Sequence, residues 1–116
     1  DLEVTAFSPL GSISYEELGG AKEEESLIRN KTIKSISTDL DVTPAQLILS
    51  WALNRGTSIV VKSTDEDRMK ENLEALEIRL DQSVTDKISA LNMDKRYNDP
   101  GEFCEDAFNT FFPIYD

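Results

Sequence analysis

The chain has 116 residues, 39% of them apolar and 30% charged, with 12 Lys and Arg against 23 Asp and Glu for a net charge of −11. That makeup fits one small globular domain and argues against nucleic acid and anionic membrane surfaces as partners. The absence of histidine and a single cysteine, Cys104, remove the commonest general base, make a metal site an unexpected feature and preclude an intrachain disulfide, so a reducing, cytoplasmic setting is expected.

Residues 2–7, "LEVTAF", alternate apolar and polar and predict a strand. Pro9 and Gly11 in "SPLGS" end it. Residues 12–27, with Gly19-Gly20 and the acidic run "KEEE", read as a solvated surface loop. In "NKTIKSISTDLD", Ile33, Ile36 and Leu40 recur at helical spacing, with Asn30 as the cap. "VTPAQLILSWALNRG" predicts the strongest helix. Thr43 caps it, Pro44 suits its first turn, Gln46 completes a capping box and Gly56 closes it. Ile48, Trp51 and Ala52 form its buried stripe.

"SIVV", residues 58–61, predicts a short strand buried on both faces of a parallel sheet. "DEDRMKENLEAL" follows as a helix with acidic residues in its first turn and Met69, Leu73 and Leu76 on one side. A last helix spans "DQSVTDKISALN", with Val84, Ile88 and Leu91 inward. Residues 93–116 read as an irregular aromatic tail, with Phe103, Phe108, Phe111 and Phe112 anchoring it. A helical crossover between the two strands predicts parallel pairing. Two strands do not make a self-sufficient sheet, and the chain opens without Met, directly in a strand-like run. It therefore reads as a slice of a larger α/β structure. No apolar run approaches the ~18 residues of a membrane span.

The chemistry gathers at "SIVVKSTDEDRMKENL". Lys62 and Ser63 fall at the C-terminal end of a strand, where α/β proteins bind ligands. The next helix presents its N-terminus to the same space. Lys62 adds a point charge, Ser63 and Thr64 add hydroxyl donors, and Arg68 can clamp a phosphate or stack on an adenine ring. Glu71 and Asn72, three and four residues further on, suit an adenine amine and ring nitrogens. The same residues also admit a plainer account: Ser63 or Thr64 as a helix cap, and Arg68 as a surface partner of Glu71 or Asn72.

Four blocks together, "VTAFSPLGS", "TPAQLILSWALNRG", "SIVVKSTDEDRMKENL" and "LDQSVTDKISALN", resemble the C-terminal part of aldo-keto reductases, in that family's order and spacing. The resemblance implies an α/β fold. Residues 1–92 correspond to strand 7, helix 7, strand 8, helix 8 and the extra C-terminal helix of a TIM (β/α)8 barrel, and residues 93–116 to the C-terminal loop beside the substrate pocket. It implies NADPH, or sometimes NADH, as cofactor and a small-molecule aldehyde or aldose as substrate. Lys62, Ser63, Thr64 and Arg68 then match the 2′-phosphate cradle, and Glu71 and Asn72 the adenine contacts. Ser8, Leu10 and Ser12 match the loop along the pyrophosphate. Phe7 stands where the family usually has a tyrosine stacked on the nicotinamide, and its ring face keeps that contact. Val61 replaces a proline common before the lysine. The Gly19-Gly20 loop matches a segment that folds over the cofactor.

"RYNDP" and the ending "FFPIYD" are similar to the xylose and related aldose reductases, which implies that Asn98 touches substrate hydroxyls. "GEFCEDAFNTF" departs from that subgroup. The aspartate, tyrosine, lysine and histidine that move the proton in this family have no counterpart here, since Tyr15, Tyr97 and Tyr115 lie in other contexts. The expected function is thus the cofactor-binding part of a reductase whose missing partner is the N-terminal half of the barrel. The alternative is a non-catalytic fragment or degenerate relative that acts as a binding or self-associating module. On either account the chain alone is expected to fold poorly, with Ile48, Trp51 and Leu73 losing part of their burial.

Overall fold

The computed structural model describes residues 2–11, 15, 16, 19 and 21–109, with nothing said of the side chains of Glu102, Phe103 and Asp106. Strand β1 (Thr5–Phe7) runs into a turn closed by the Gly11 N–H on the Ser8 carbonyl at 2.9 Å. Short 3-10 turns at Glu23–Glu25 and Leu27–Arg29 lead to helix α1 (Lys31–Asp39). Helix α2 (Pro44–Asn54), strand β2 (Ser58–Val60) and helix α3 (Glu66–Glu74) follow. A 3-10 turn (Ala75–Glu77) extends α3, and helices α4 (Gln82–Ser89) and α5 (Pro100–Phe108) complete the order.

The helix starts follow the capping residues. Asn30 Oδ1 accepts the N–H groups of Thr32 and Ile33 at 2.8 and 3.3 Å. At α2, Thr43 Oγ1 accepts the Gln46 N–H at 3.1 Å while Gln46 Oε1 accepts the Thr43 N–H at 3.0 Å, so both halves of the expected capping box are present. Gly56 takes φ +79°, the left-handed turn that ends α2.

The two strands pair in parallel, Thr5 opposite Ser58, Ala6 opposite Ile59 and Phe7 opposite Val60. The crossover between them is helical, as expected. The strands are shorter than the expected 2–7 and 58–61. The sequence also suggested that β2 is buried on both faces, and this is corrected: Val60 is 60% exposed. Among the described residues β2 has only β1 beside it, so nothing covers its far side.

The core lies between helices. Ile33 and Ile36 of α1, Leu47 and Ile48 of α2 and Ile88 of α4 form one buried cluster, with Trp51, Val84 and Leu91 packed against it. Ile48 is only 2% exposed, against the expectation that it would be partly wetted. It packs among helix residues, so a short sheet costs it nothing. Leu40 is exposed because α1 ends before it. The apolar side of α3 stays uncovered: Met69, Leu73 and Leu76 are exposed, Leu73 by 66%.

The tail also departs from the irregular coil expected of it. Asp99 Oδ1 accepts the Gly101 N–H at 2.8 Å and Pro100 occupies the first turn of α5, a cap-and-proline start. Phe108, on α5, is 74% exposed. Phe111 and Phe112 lie outside the described residues. Among the described residues no helix is long and apolar enough to cross a membrane.

Candidate functional site

The C-terminal ends of β1 and β2 open onto a cleft of about 620 Å³. Phe7, Ser8, Pro9, Leu10 and Gly11 wall one side, and Val60 to Asp65 with Arg68 wall the other. Parallel pairing is what brings these together, because both strands must then end on the same edge. Phe7, the last residue of β1, is 63% exposed beside the cleft. The turn that follows bends sharply: Ser8 has φ +48°, a left-handed backbone that only surrounding structure can hold on a non-glycine residue.

On the other wall, Ser63 Oγ accepts the Asp65 N–H at 3.1 Å, a local side-chain turn that leads into α3. The cap of α3 is Asp65, whose Oδ1 accepts the Arg68 N–H at 3.0 Å. Ser63 and Thr64, each considered as that cap, precede it. Asp65 also places a carboxylate in the cleft wall and fills part of the helix N-terminus with its own side chain. Among the described residues, neither Lys62 nor Arg68 forms an ion pair. Two cations without an ion-pair partner among the described residues thus share one wall of the cleft with one carboxylate.

Of the residues selected from sequence, Phe7, Ser8, Leu10, Lys62, Ser63, Thr64 and Arg68 line this cleft. Glu71 and Asn72 do not. Thr43 Oγ1 donates to Glu71 Oε1, which draws that carboxylate toward α2. Asn72 lines an adjacent groove of about 580 Å³ that shares Val61, Lys62 and Ser63 with the cleft. Ser12 lies outside the described residues. Asn98 is half-buried just ahead of the Asp99 cap of α5 and is not among the cleft-lining residues.

Sequence reasoning missed Pro9, Gly11 and Asp65 as cleft walls. Asp65 was legible as a cap, since Asx residues favour that position. It also missed a polar seam on α2. Gln46 Nε2 donates to the Glu71 carbonyl at 3.3 Å and to Glu74 Oε2 at 3.1 Å. Ser50 Oγ lies between the Gln46 carbonyl of its own helix at 2.7 Å and the Ala75 carbonyl at 2.9 Å, and Asn54 Nδ2 donates to the Ile78 carbonyl at 3.0 Å. The signal was polar residues at positions 46, 50 and 54 of an otherwise apolar helix, spaced by one turn.

A separate recess of about 400 Å³ sits under the same Gly11, against Trp51, Ile88 and Tyr97. The Arg55 guanidinium stacks over the Trp51 ring at 4.4 Å. Glu25 at its rim pairs with Lys95. That hydrogen bond, followed by the Lys22 N–H at 2.8 Å, holds the Glu25 carboxyl below its ordinary range. Burial first, and then the Glu25 charge, pushes the Tyr97 hydroxyl up. Among the described residues no His, Cys, Asp and Glu group is arranged to hold a metal ion.

The model of the Aldo/keto reductase family matches residues 1–93. The NAD(P)H-dependent D-xylose reductase of Kluyveromyces lactis is 36% identical over 113 residues, covering 95% of this chain and 34% of that protein. The NADPH-dependent D-xylose reductase of Candida boidinii is 37% identical over 101 residues, covering 85% of this chain and 32% of that protein. The 4-dihydromethyl-trisporate dehydrogenase of Mucor mucedo is 36% identical over 100 residues, covering 85% and 31%. The chain spans about a third of the length of these curated relatives. An aldo/keto reductase crystal structure from Brucella melitensis overlays with a TM-score of 0.64 at 30% identity, covering 79% of this chain and 30% of that one. An aldo-keto reductase from a Medee basin deep-sea metagenome library overlays at 0.68 and 23% identity, covering 82% and 32%, a likeness of fold alone. A family match that runs from β1 to just past α4, with these likenesses in sequence and fold beside it, means that the chain belongs to the aldo/keto reductase family.

Proposed function

We propose that this chain is the cofactor-binding C-terminal part of an NAD(P)H-dependent aldo-keto reductase that reduces aldehydes or aldoses to alcohols. It supplies strands 7 and 8, helices 7 and 8, the extra C-terminal helix and the C-terminal loop of a (β/α)8 barrel. The rest of the barrel, upstream, brings the aspartate, tyrosine, lysine and histidine of the proton relay, and no residue of this chain takes a catalytic role. The observation that carries the proposal is the pair of cations, Lys62 and Arg68, at the C-terminal edge of two parallel strands, neither in an ion pair among the described residues. Barrels bind phosphate in the loops after their last two strands. The names of the Kluyveromyces lactis and Candida boidinii relatives support a nicotinamide cofactor and a sugar aldehyde as substrate.

The residues present fit such a cofactor. When bound, it supplies the hydride that reduces the carbonyl. Lys62 and Arg68, with the Ser63 and Thr64 hydroxyls, would hold a 2′-phosphate, and this favours NADPH over NADH. Phe7 would cover the nicotinamide ring, and Ser8, Leu10 and Ser12 would follow the pyrophosphate. Glu71 and Asn72 would meet the adenine, Glu71 after parting from Thr43. Asn98 would contact substrate hydroxyls. The free thiol of Cys104 suits a reducing, cytoplasmic setting.

The test is Arg68→Ala in the complete polypeptide. A charge-assisted contact contributes roughly 1.5 to 3 kcal/mol, so NADPH binding should weaken by about that much while NADH binding changes little. Equal losses for both cofactors in a binding titration overturn the assignment.

A further inference from the structure

We infer that Gln46, which does not line the cleft, is a positioning residue for the anion site, acting through the helix that carries Arg68. This rests on the proposed reading of Lys62 and Arg68 as a phosphate cradle.

Helix α3 is poorly held by apolar packing. It contains no buried residue, and Met69 and Leu73 are exposed. What ties it to the body is the polar seam on α2. Gln46 is itself 9% exposed, and both N–H groups and the oxygen of its side-chain amide are hydrogen-bonded. Its oxygen accepts the Thr43 N–H at 3.0 Å, and its nitrogen donates to the Glu71 carbonyl at 3.3 Å and to Glu74 Oε2 at 3.1 Å. Glu71 lies three residues beyond Arg68, so the grip falls one helical turn along from the residue that lines the cleft. Ser50, Asn54 and the Thr43 hydroxyl extend the seam to Ala75, Ile78 and Glu71. Arg68 and Lys62 sit on exposed backbone with no ion pair among the described residues to steady them. The place of Arg68 relative to Lys62 is therefore set by how α3 is seated on α2. Positioning of this kind costs affinity when lost, even though the residue never touches ligand.

The experiment titrates 2′,5′-ADP and 5′-AMP into the complete polypeptide, as wild type and as Gln46→Leu, Ser50→Ala, Ile48→Val and Arg68→Ala. Gln46→Leu should weaken 2′,5′-ADP by roughly threefold to tenfold and 5′-AMP by less, the range expected for loss of buried hydrogen bonds and of site coupling. Ser50→Ala removes a hydroxyl shared between the Gln46 and Ala75 carbonyls at nearly constant shape and should act in the same direction; it also serves if Gln46→Leu melts below the titration temperature. Ile48→Val destabilises the same helix through the core and should lower the melting temperature without changing the ratio of the two affinities. The inference is overturned if Gln46→Leu and Ser50→Ala bind 2′,5′-ADP like wild type, or if Ile48→Val shifts the ratio equally. Failure of the phosphate reading itself looks different: Arg68→Ala would then leave 2′,5′-ADP affinity unchanged.

Discussion

Lys95 reaches back along the chain to Glu25, its Nζ lying 2.7 and 2.6 Å from the two carboxylate oxygens. Beside this pair the Tyr97 ring stacks on Tyr15 with centroids 6.1 Å apart, and its hydroxyl points to the Glu25 carbonyl at 3.5 Å. A stretch read from sequence as a loop and another read as tail are therefore one joined unit. Lys95→Met should release it. The expected result is faster amide exchange at residues 22–29 with no change in α2. Unchanged exchange at 22–29 would show that the ring stack alone holds the two together.

The same pair sets an acid limit. Glu25 has a folded pKa depressed below its ordinary 4.5, so the folded chain prefers the carboxylate. The contribution is complete above the ordinary value and is lost as pH falls through it to the lower folded value. Exchange at residues 22–29 should stay slow from neutral pH down to that range and rise below it. Glu25→Gln should remove the transition, leaving exchange raised at every pH.

Thr43 does two things with one hydroxyl: it accepts the Gln46 N–H and donates to Glu71. Thr43→Val loses both and should destabilise the complete polypeptide by about 1 to 2 kcal/mol, at the upper end for a lost cap. Thr43→Ser keeps the hydroxyl and should lie within about 0.5 kcal/mol of wild type, the range of a neutral change. Denaturant titrations of the two variants give the comparison. Equal losses would mean that the methyl group matters and the hydroxyl does not.

The exposed face of Met69, Leu73 and Leu76 bears on the chain by itself. Apolar patches of this kind drive association when nothing covers them. Purified residues 1–116 should sediment as oligomers or melt without a sharp transition. Leu73→Lys with Leu76→Lys should shift the distribution toward monomer. A wild-type monomer with a cooperative melt contradicts this.

Local signals in the sequence were strong wherever one residue type has one use. Asn30, Thr43, Pro44, Gln46 and Gly56 mark helix ends by rules that act within a few residues, and α1 and α2 start and stop by them. Lys62 and Arg68 were visible as a junction because a helical crossover implies parallel strands. Burial was harder to read, since it depends on neighbours that a local pattern does not name. "SIVV" has the composition of a fully covered strand, yet Val60 is exposed. Helix α5 is not evident from its pattern although Asp99-Pro100 is a start signal, because Gly101 and the aromatic residues within it are weak helix formers. The pull of Thr43 on Glu71 spans 28 positions, and spacing within α3 carried no trace of it.

The parallel register of β1 on β2 also has a kinetic side. Thr5 meets Ser58 only after a loop of roughly fifty residues closes, and the entropy of that closure must be overcome before three residue pairs can offset it. Helices α1 and α2, by contrast, are joined by a few residues and share the buried cluster. Contacts near in sequence form fastest. The helical layer should therefore assemble first, and the edge on which Phe7 and Lys62 face each other should be the last part of the molecule to take shape.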